Sequence, residues 1–192
     1  MLLIAMTEDI GNSNGSKDEG IKEAGTTKSV NGDAKNPVIK KSREKSVKYP
    51  YYSLKECFNY LSIVHKIGGR KGAQIGSILS EININSANNR RFSYLTSSSE
   101  IFGLIERSDQ LIKPTELGIL ILFPPNGDSQ KKQLLIQSFE NSEVYSNIVT
   151  KYNETILPNR DLLRIEFYHL KIATNVLDIA VDSFIESAQY VG

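Results

Sequence analysis

The stretch Phe102–Gly118, FGLIERSDQLIKPTELG, places a polar turn between two short apolar runs. Leu104–Arg107 and Leu111–Pro114 have the composition of β-strands, and Ser108-Asp109-Gln110 between them is a turn sequence. Two short strands joined by so short a polar turn predict a β-hairpin. Just before it, Gly103 is the residue type best able to end a helix in the left-handed conformation.

Helices are predicted on both sides of this hairpin. Thr115 is a suitable N-cap for a helix over Glu116–Leu122, which Pro124-Pro125 stop. Three helices are predicted before the hairpin, the first opened by the capping box Ser53-x-x-Glu56. The first covers about Leu54–Lys66, with Leu54, Phe58, Leu61 and His65 facing inward. The second covers about Ala73–Leu79, with Ile75, Ile78 and Leu79 facing inward. The third begins at an Asn85 or Ser86 cap and ends at Gly103.

The third predicted helix has two unlike faces. At 100° per residue, Phe92, Leu95, Ser99 and Phe102 form a core stripe centred near Leu95. The opposite side is polar and carries one aromatic ring, with Arg91 at its margin; it consists of Arg90, Ser93, Tyr94 and Ser97. Such a helix has a side for the core and a side that can face a ligand.

Three helices followed by a hairpin whose entry reads FGLIE and whose exit reads LIKPTELG resemble the winged helix-turn-helix superfamily over about residues 51–122. Over about 49–192 the chain resembles an uncharacterised prokaryotic winged-helix domain-of-unknown-function family, through its proline-initiated helix and the closing AVDSFIESAQYVG. The resemblance implies a mainly α (α+β) fold: a winged helix-turn-helix with a small hairpin wing and a C-terminal helical extension packed on it.

In DNA-binding winged helices the third helix lies in the major groove and the wing contacts the backbone. The resemblance therefore implies a non-enzymatic transcriptional or regulatory factor that binds double-stranded DNA. Small hydroxyls allow close approach to DNA, and Arg90 can reach guanine through two hydrogen bonds. The candidate DNA-binding residues are Arg90, Arg91, Ser93, Tyr94 and Ser97 on the third helix, Arg70 and Lys71 before the second, and Arg107 and Lys113 in the wing.

The chain divides into three predicted regions. Residues 1–48 lack apolar periodicity and predict a disordered N-terminal arm, whose end, residues 35–48, holds six basic residues and one acidic residue. Residues 49–125 form the predicted winged-helix domain, and residues 126–192 a helical extension that is a candidate dimerisation element. Its helices are predicted at about Gln130–Phe139 after a Ser129 cap, Glu143–Tyr152, Arg160–Tyr168, and from Thr174 onward.

The last predicted helix carries the clearest apolar stripe of the chain. The stripe consists of Val176, Leu177, Ala180, Val181, Phe184, Ile185 and Ala188. Such a stripe packs either on the first and fourth helices or on a second copy of the chain.

Charge sets a limit on DNA binding. The 23 Lys and Arg against 22 Asp and Glu give a net charge of +1, so attraction to DNA has to come from a local patch. We therefore expect weak binding, strengthened in a homodimer. The alternative is a non-catalytic protein–protein interaction module on the same scaffold, which near-neutral charge favours.

The sequence predicts neither catalysis nor a cofactor. One cysteine, Cys57, and two distant histidines, His65 and His169, give no zinc-ligand spacing, and no Gly-rich phosphate loop or nucleophile motif occurs. We expect Cys57 to be buried and His65 to be a core residue. No apolar run has the length of a membrane span, so a cytoplasmic protein, associated with the nucleoid if it binds DNA, is expected.

Overall fold

The computed structural model describes residues 47–152 and 156–192, and within these ranges the chain is mainly helical with one small antiparallel sheet. The predicted arm lies outside the described residues except for Val47 and Lys48. Of these two residues, Val47 packs against the core. The helices are α1 (Leu54–Gly68), α2 (Ile75–Glu81), α3 (Arg90–Ile101), α4 (Glu116–Leu122), α5 (Gly127–Glu140), α6 (Glu143–Lys151), α7 (Arg160–His169) and α8 (Leu177–Val191); the strands are β1 (Ala73–Gln74), β2 (Ile105–Ser108) and β3 (Leu111–Pro114).

The predicted hairpin is confirmed, and a third strand joins it. β2 pairs with β3 in antiparallel register, and β1 pairs with the other edge of β3, giving the order β1-β3-β2. Gly103 enters the hairpin with φ +69°, the left-handed conformation expected at this helix end. The prediction for Ala73–Gln74 was wrong, because these two residues extend the sheet and the second helix starts only at Ile75.

Helix α1 starts as predicted, but its buried face is rotated. The backbone N–H of Ser53 donates to the Glu56 carboxylate at 3.1 Å, as a capping box requires. The fully buried side chains of the helix recur at helical spacing: Leu54, Cys57, Tyr60, Leu61 and Val64. Phe58 and His65, predicted to face inward, are only half-buried, and the His65 ring contacts Phe123 at 5.0 Å between centroids.

Two further helix starts differ from the prediction. Helix α3 is capped by Asn89, whose side-chain oxygen accepts the Arg91 N–H at 2.8 Å, and not by Asn85 or Ser86. Residues 86–89 form a turn, in which the Asn89 N–H donates to the Ser86 carbonyl oxygen at 3.1 Å and the Asn88 N–H to Ser86 Oγ at 3.2 Å. Helix α5 begins at Gly127, and Ser129 lies inside its first turn.

The C-terminal helices enclose an aromatic cluster around Tyr145, which is fully buried. Its hydroxyl donates to Ser183 Oγ at 2.9 Å. The rings of Phe102, Phe139, Phe167 and Phe184 lie within 6.5 Å of the Tyr145 ring, centroid to centroid. Because Phe102 ends α3, this cluster and the residues around the sheet form one continuous core.

The last helix lies inside this core. Leu177, Ala180, Val181, Phe184 and Ala188 are buried, and α8 packs mainly on α1, α5 and α7. The prediction that the stripe packs within the chain is confirmed for these five residues, but the principal neighbours include α5 and α7 in place of the fourth helix. No helix in the described ranges combines the length and the apolar character that crossing a membrane requires.

Candidate nucleic-acid interface

The outward face of α3 presents the residues expected on it. Arg90, Arg91, Ser93, Tyr94 and Ser97 are all exposed. On the opposite side Phe92, Thr96 and Ser99 are buried, whereas Leu95 is only half-buried. The core stripe is therefore centred between Phe92 and Ser99 and not near Leu95.

A segment that the sequence did not predict covers the second half of this helix. Ser98 lies away from the core stripe but is 1% exposed, because its hydroxyl oxygen accepts the backbone N–H groups of Tyr51 at 2.8 Å and Tyr52 at 3.1 Å. The Tyr51 ring stacks on the Tyr94 ring with 4.4 Å between centroids and 16° between planes. Residues 47–52 thus run along α3 beside Tyr94 and Ser97, so the least covered part of the outward surface is the start of the helix, with Arg90 and Ser93.

Tyr49 and Tyr51 of this segment line a cleft beside α3. Burial raises the pKa of the Tyr49 hydroxyl to about 12, and the neighbouring Tyr51 and Tyr94 hydroxyls make smaller contributions in the same direction. Lys48 is exposed and lines the same cleft of about 160 Å³ as Tyr94 and Ser97. Lys48 therefore adds a cation to this surface.

The two arginines of α3 have different surroundings. Arg91 lines a cleft of about 270 Å³ between α1 and α3, together with Tyr52 and Asn59. Burial raises the pKa of Tyr52, and the Arg91 charge opposes that shift. Arg91 is therefore directed partly back toward α1, while Arg90 is left as the cation on the outward side of the first turn.

The hairpin brings one further cation to α3. The Arg107 guanidinium carbon lies 5.9 Å from the centre of the Phe92 ring, so β2 lies beside the first half of α3. Lys113, in contrast, forms an ion pair of 2.9 Å with Glu106, its partner residue on the adjacent strand. Arg107 thus lies against the Phe92 side of α3 and not on the outward side that carries Arg90, while Lys113 is paired with Glu106.

Arg70 and Lys71 lie at the opposite edge of the sheet. Only Gly72 separates them from β1. Strand β3 lies between β1 and β2, which puts β1 about 10 Å from β2 at the usual strand spacing. Arg70 lies 3.8 Å from the Glu116 carboxylate, while Lys71 is exposed. Within the described ranges, Arg90, Arg91, Arg107 and Lys71 make no ion pair, and they are the uncompensated cations among the nine candidates.

The groups that most often carry catalysis lie apart from this surface. Cys57 is fully buried, as predicted, and burial raises the pKa of its thiol to about 12. His169 is exposed at the end of α7, far along the chain from the half-buried His65 on α1. Residues 47–152 and 156–192 contain no group of three or more His, Cys, Asp or Glu side chains placed to hold a metal ion.

Sequence reasoning missed Tyr51 and Lys48 as members of this surface, because only long-range contacts bring residues 47–52 onto α3. The one local signal was the run Tyr49-Pro50-Tyr51-Tyr52 at the start of the folded region. Comparison of the chain with protein-family models, curated proteins and solved structures finds no match.

Proposed function

We propose that this protein is a winged helix-turn-helix DNA-binding factor with a regulatory role. The element order α1-β1-α2-α3-β2-β3, with β1 added to the outer edge of the hairpin, supports this assignment. In the proposed winged helix-turn-helix, α3 is the recognition helix and the β2-β3 hairpin is the wing. The observation that carries the proposal is that α3 presents Arg90, which is exposed and makes no ion pair with a described residue, while the wing beside α3 adds a second such cation, Arg107.

The covered second half of α3 decides how the helix approaches DNA. Recognition helices of this class contact base edges with their N-terminal residues, and the start of α3 is the part least covered here. Arg90 then reads a guanine edge through two hydrogen bonds, and Ser93, one turn further, accepts or donates at a base or phosphate. Arg107 on the wing and Lys48 beside α3 contact phosphates, which fix the orientation without reading sequence.

The small number of uncompensated cations implies weak binding with a shallow salt dependence. If Arg107, Lys48 and one or two further cations contact phosphate, the slope of log K against log salt is about −3 to −4. The slope is proportional to the number of phosphate contacts, so a surface with many more cations would give a steeper slope than this interface.

The test is fluorescence anisotropy of the full chain on labelled duplex DNA at several salt concentrations, beginning at about 50 mM. Arg90→Ala should weaken binding by about 1–3 kcal/mol, and Arg107→Ala should weaken it for all sequences and reduce the slope by about one. Lys132→Ala on α5, the matched control, removes the same charge and should bind as the parent does. Equal binding by Arg90→Ala, Arg107→Ala and Lys132→Ala would exclude this surface as the reader.

The second candidate is a protein–protein interaction module on the same scaffold. Pairing of Lys113 with Glu106 and of Arg70 with Glu116 favours it, because both pairs reduce the positive charge that the sheet and the residues next to it offer to DNA. A parent protein that does not bind any duplex at about 50 mM salt would support this function in place of the first.

A further inference from the structure

The exposed large apolar side chains concentrate on one helix. Six such side chains occur in the described residues, and three of them, Leu162, Ile165 and Tyr168, lie on α7. They are 51%, 51% and 55% exposed, although Leu163 and Phe167 on the same helix are buried in the core. Helix α7 therefore has a second apolar face, which no described part of the chain covers.

The geometry of α7 makes this face narrow and nearly symmetric. At 100° per residue, with Ile165 at the centre, Leu162 and Tyr168 lie about 60° to either side, and Asp161 and His169 about 40° to either side. Ile165 is also at the middle of the stretch from Asp161 to His169, so both ends of the face are equally distant from it. A face of this kind can pair with its own copy about a two-fold axis through Ile165.

The charges next to the face are already paired within the chain. Arg164 lies 3.2 Å from the Asp178 carboxylate, and Lys151 donates to the Glu166 carboxylate at 2.6 Å. Side chains that flank an apolar stripe and are already compensated can come close to another copy with little repulsion. The remaining charges are acidic at the start of α7, at Asp161, and basic after its end, at Lys171, both exposed.

We propose that α7 is the surface through which two copies of this chain form a homodimer, with the two α7 helices antiparallel. In that orientation the acidic start of each helix lies next to the basic end of the other. The helix dipoles are then antiparallel, which is the favourable arrangement for two adjacent helices. Ile165 meets its own copy at the axis. Asp161 lies opposite the Tyr168 hydroxyl of the second copy, and Leu162 lies opposite the His169 ring.

The area available sets the strength of the dimer. A ten-residue helix is about 15 Å long, so the contact is at the small end of specific interfaces and should give a micromolar Kd. This inference does not rest on DNA binding. If the chain does bind DNA, pairing adds a second recognition helix to a weak first one.

Sedimentation equilibrium of the full chain over about 1–100 μM is the first test, and we expect reversible dimerisation. Ile165→Glu should raise the dimer Kd by at least about 30-fold, because each dimer loses two central apolar contacts. Its thermal unfolding should stay close to that of the parent, since the side chain is half exposed. Phe123→Glu, at a position 59% exposed near α4, is the matched control and should dimerise like the parent.

Cysteine cross-linking tests the orientation. Ile165→Cys meets its copy on the axis and should give a disulfide-linked dimer under mild oxidation, with Cys57 too buried to compete. Asp161→Cys lies about 12 Å from its copy in the antiparallel pair and should not cross-link. A parent that is monomeric at every concentration, an Ile165→Glu variant that dimerises like the parent, or cross-linking of Asp161→Cys as readily as Ile165→Cys would each overturn the proposal.

Discussion

Replacing Ser98 with alanine should release residues 47–52 from α3. The Ser98 hydroxyl oxygen is the acceptor for two backbone N–H groups, those of Tyr51 and Tyr52, and the substitution removes it without changing the helix backbone. A buried donor left without a partner costs about 1–3 kcal/mol, and a hydrogen bond replaced by water about 0.5–1.5 kcal/mol. Both tyrosines are half-buried, so water reaches part of the vacated site. Two donors together then give an expected loss of about 2 kcal/mol in the free energy of unfolding.

Two measurements check this expectation. Urea unfolding should show a lower midpoint with an unchanged slope, and hydrogen exchange should show lost protection at the Tyr51 and Tyr52 amides while Tyr60 in α1 stays protected. Ser97→Ala removes the hydroxyl from the neighbouring, exposed position and should change the stability by less than about 0.5 kcal/mol. If Ser98→Ala and Ser97→Ala are equally stable and protect the Tyr51 amide equally, the two hydrogen bonds do not hold the segment on α3.

The remaining predictions concern the core and the wing. Phe184→Ala should cost about 3–5 kcal/mol in urea unfolding, because the ring is fully buried in the aromatic cluster; a stability equal to the parent would contradict its place there. The Cys57 thiol should react with a disulfide reagent only after unfolding, and, since burial raises its pKa from 9.0 to about 12, its contribution to stability should be complete below pH 9 and decline as the pH rises toward 12. Gly118→Ala should destabilise strongly in a thermal melt, because the added Cβ would overlap the Leu104 carbonyl oxygen, while a melting temperature like that of the parent would show that α4 can shift there.

The features that could be predicted from the sequence depend on neighbouring residues. Thr115 caps α4 with its own side chain, as its residue type and position predicted. The hairpin turn between Ser108 and Leu111 was equally local. For these elements the chemistry that determines the structure lies within a few residues, so a single sequence contains it.

The features that the sequence did not reveal depend on distant contacts. Ala73–Gln74 forms a strand only because β3 offers an open edge more than thirty residues later. Ser98 is buried by Tyr51, which comes from the other side of α1 in the sequence. For the candidate site the same limit applies, since exposure of Arg90 followed from helical periodicity, whereas pairing of Lys113 with Glu106 required the strand register.

The start of α1 is bonded to the last helix, and this affects how the chain can fold during synthesis. The backbone N–H of Leu54 donates to the buried Ser187 Oγ at 2.9 Å, across 133 positions of sequence. When the segment from α1 to the β2-β3 hairpin has left the ribosome, α8 has not yet been made. The core of that segment therefore still lacks the helix that covers one side of it. The last step of folding must wait until α8 has left the ribosome, since long-range closure cannot precede the residues that make it. Until then the side of α1 that α8 covers in the folded chain stays open to solvent.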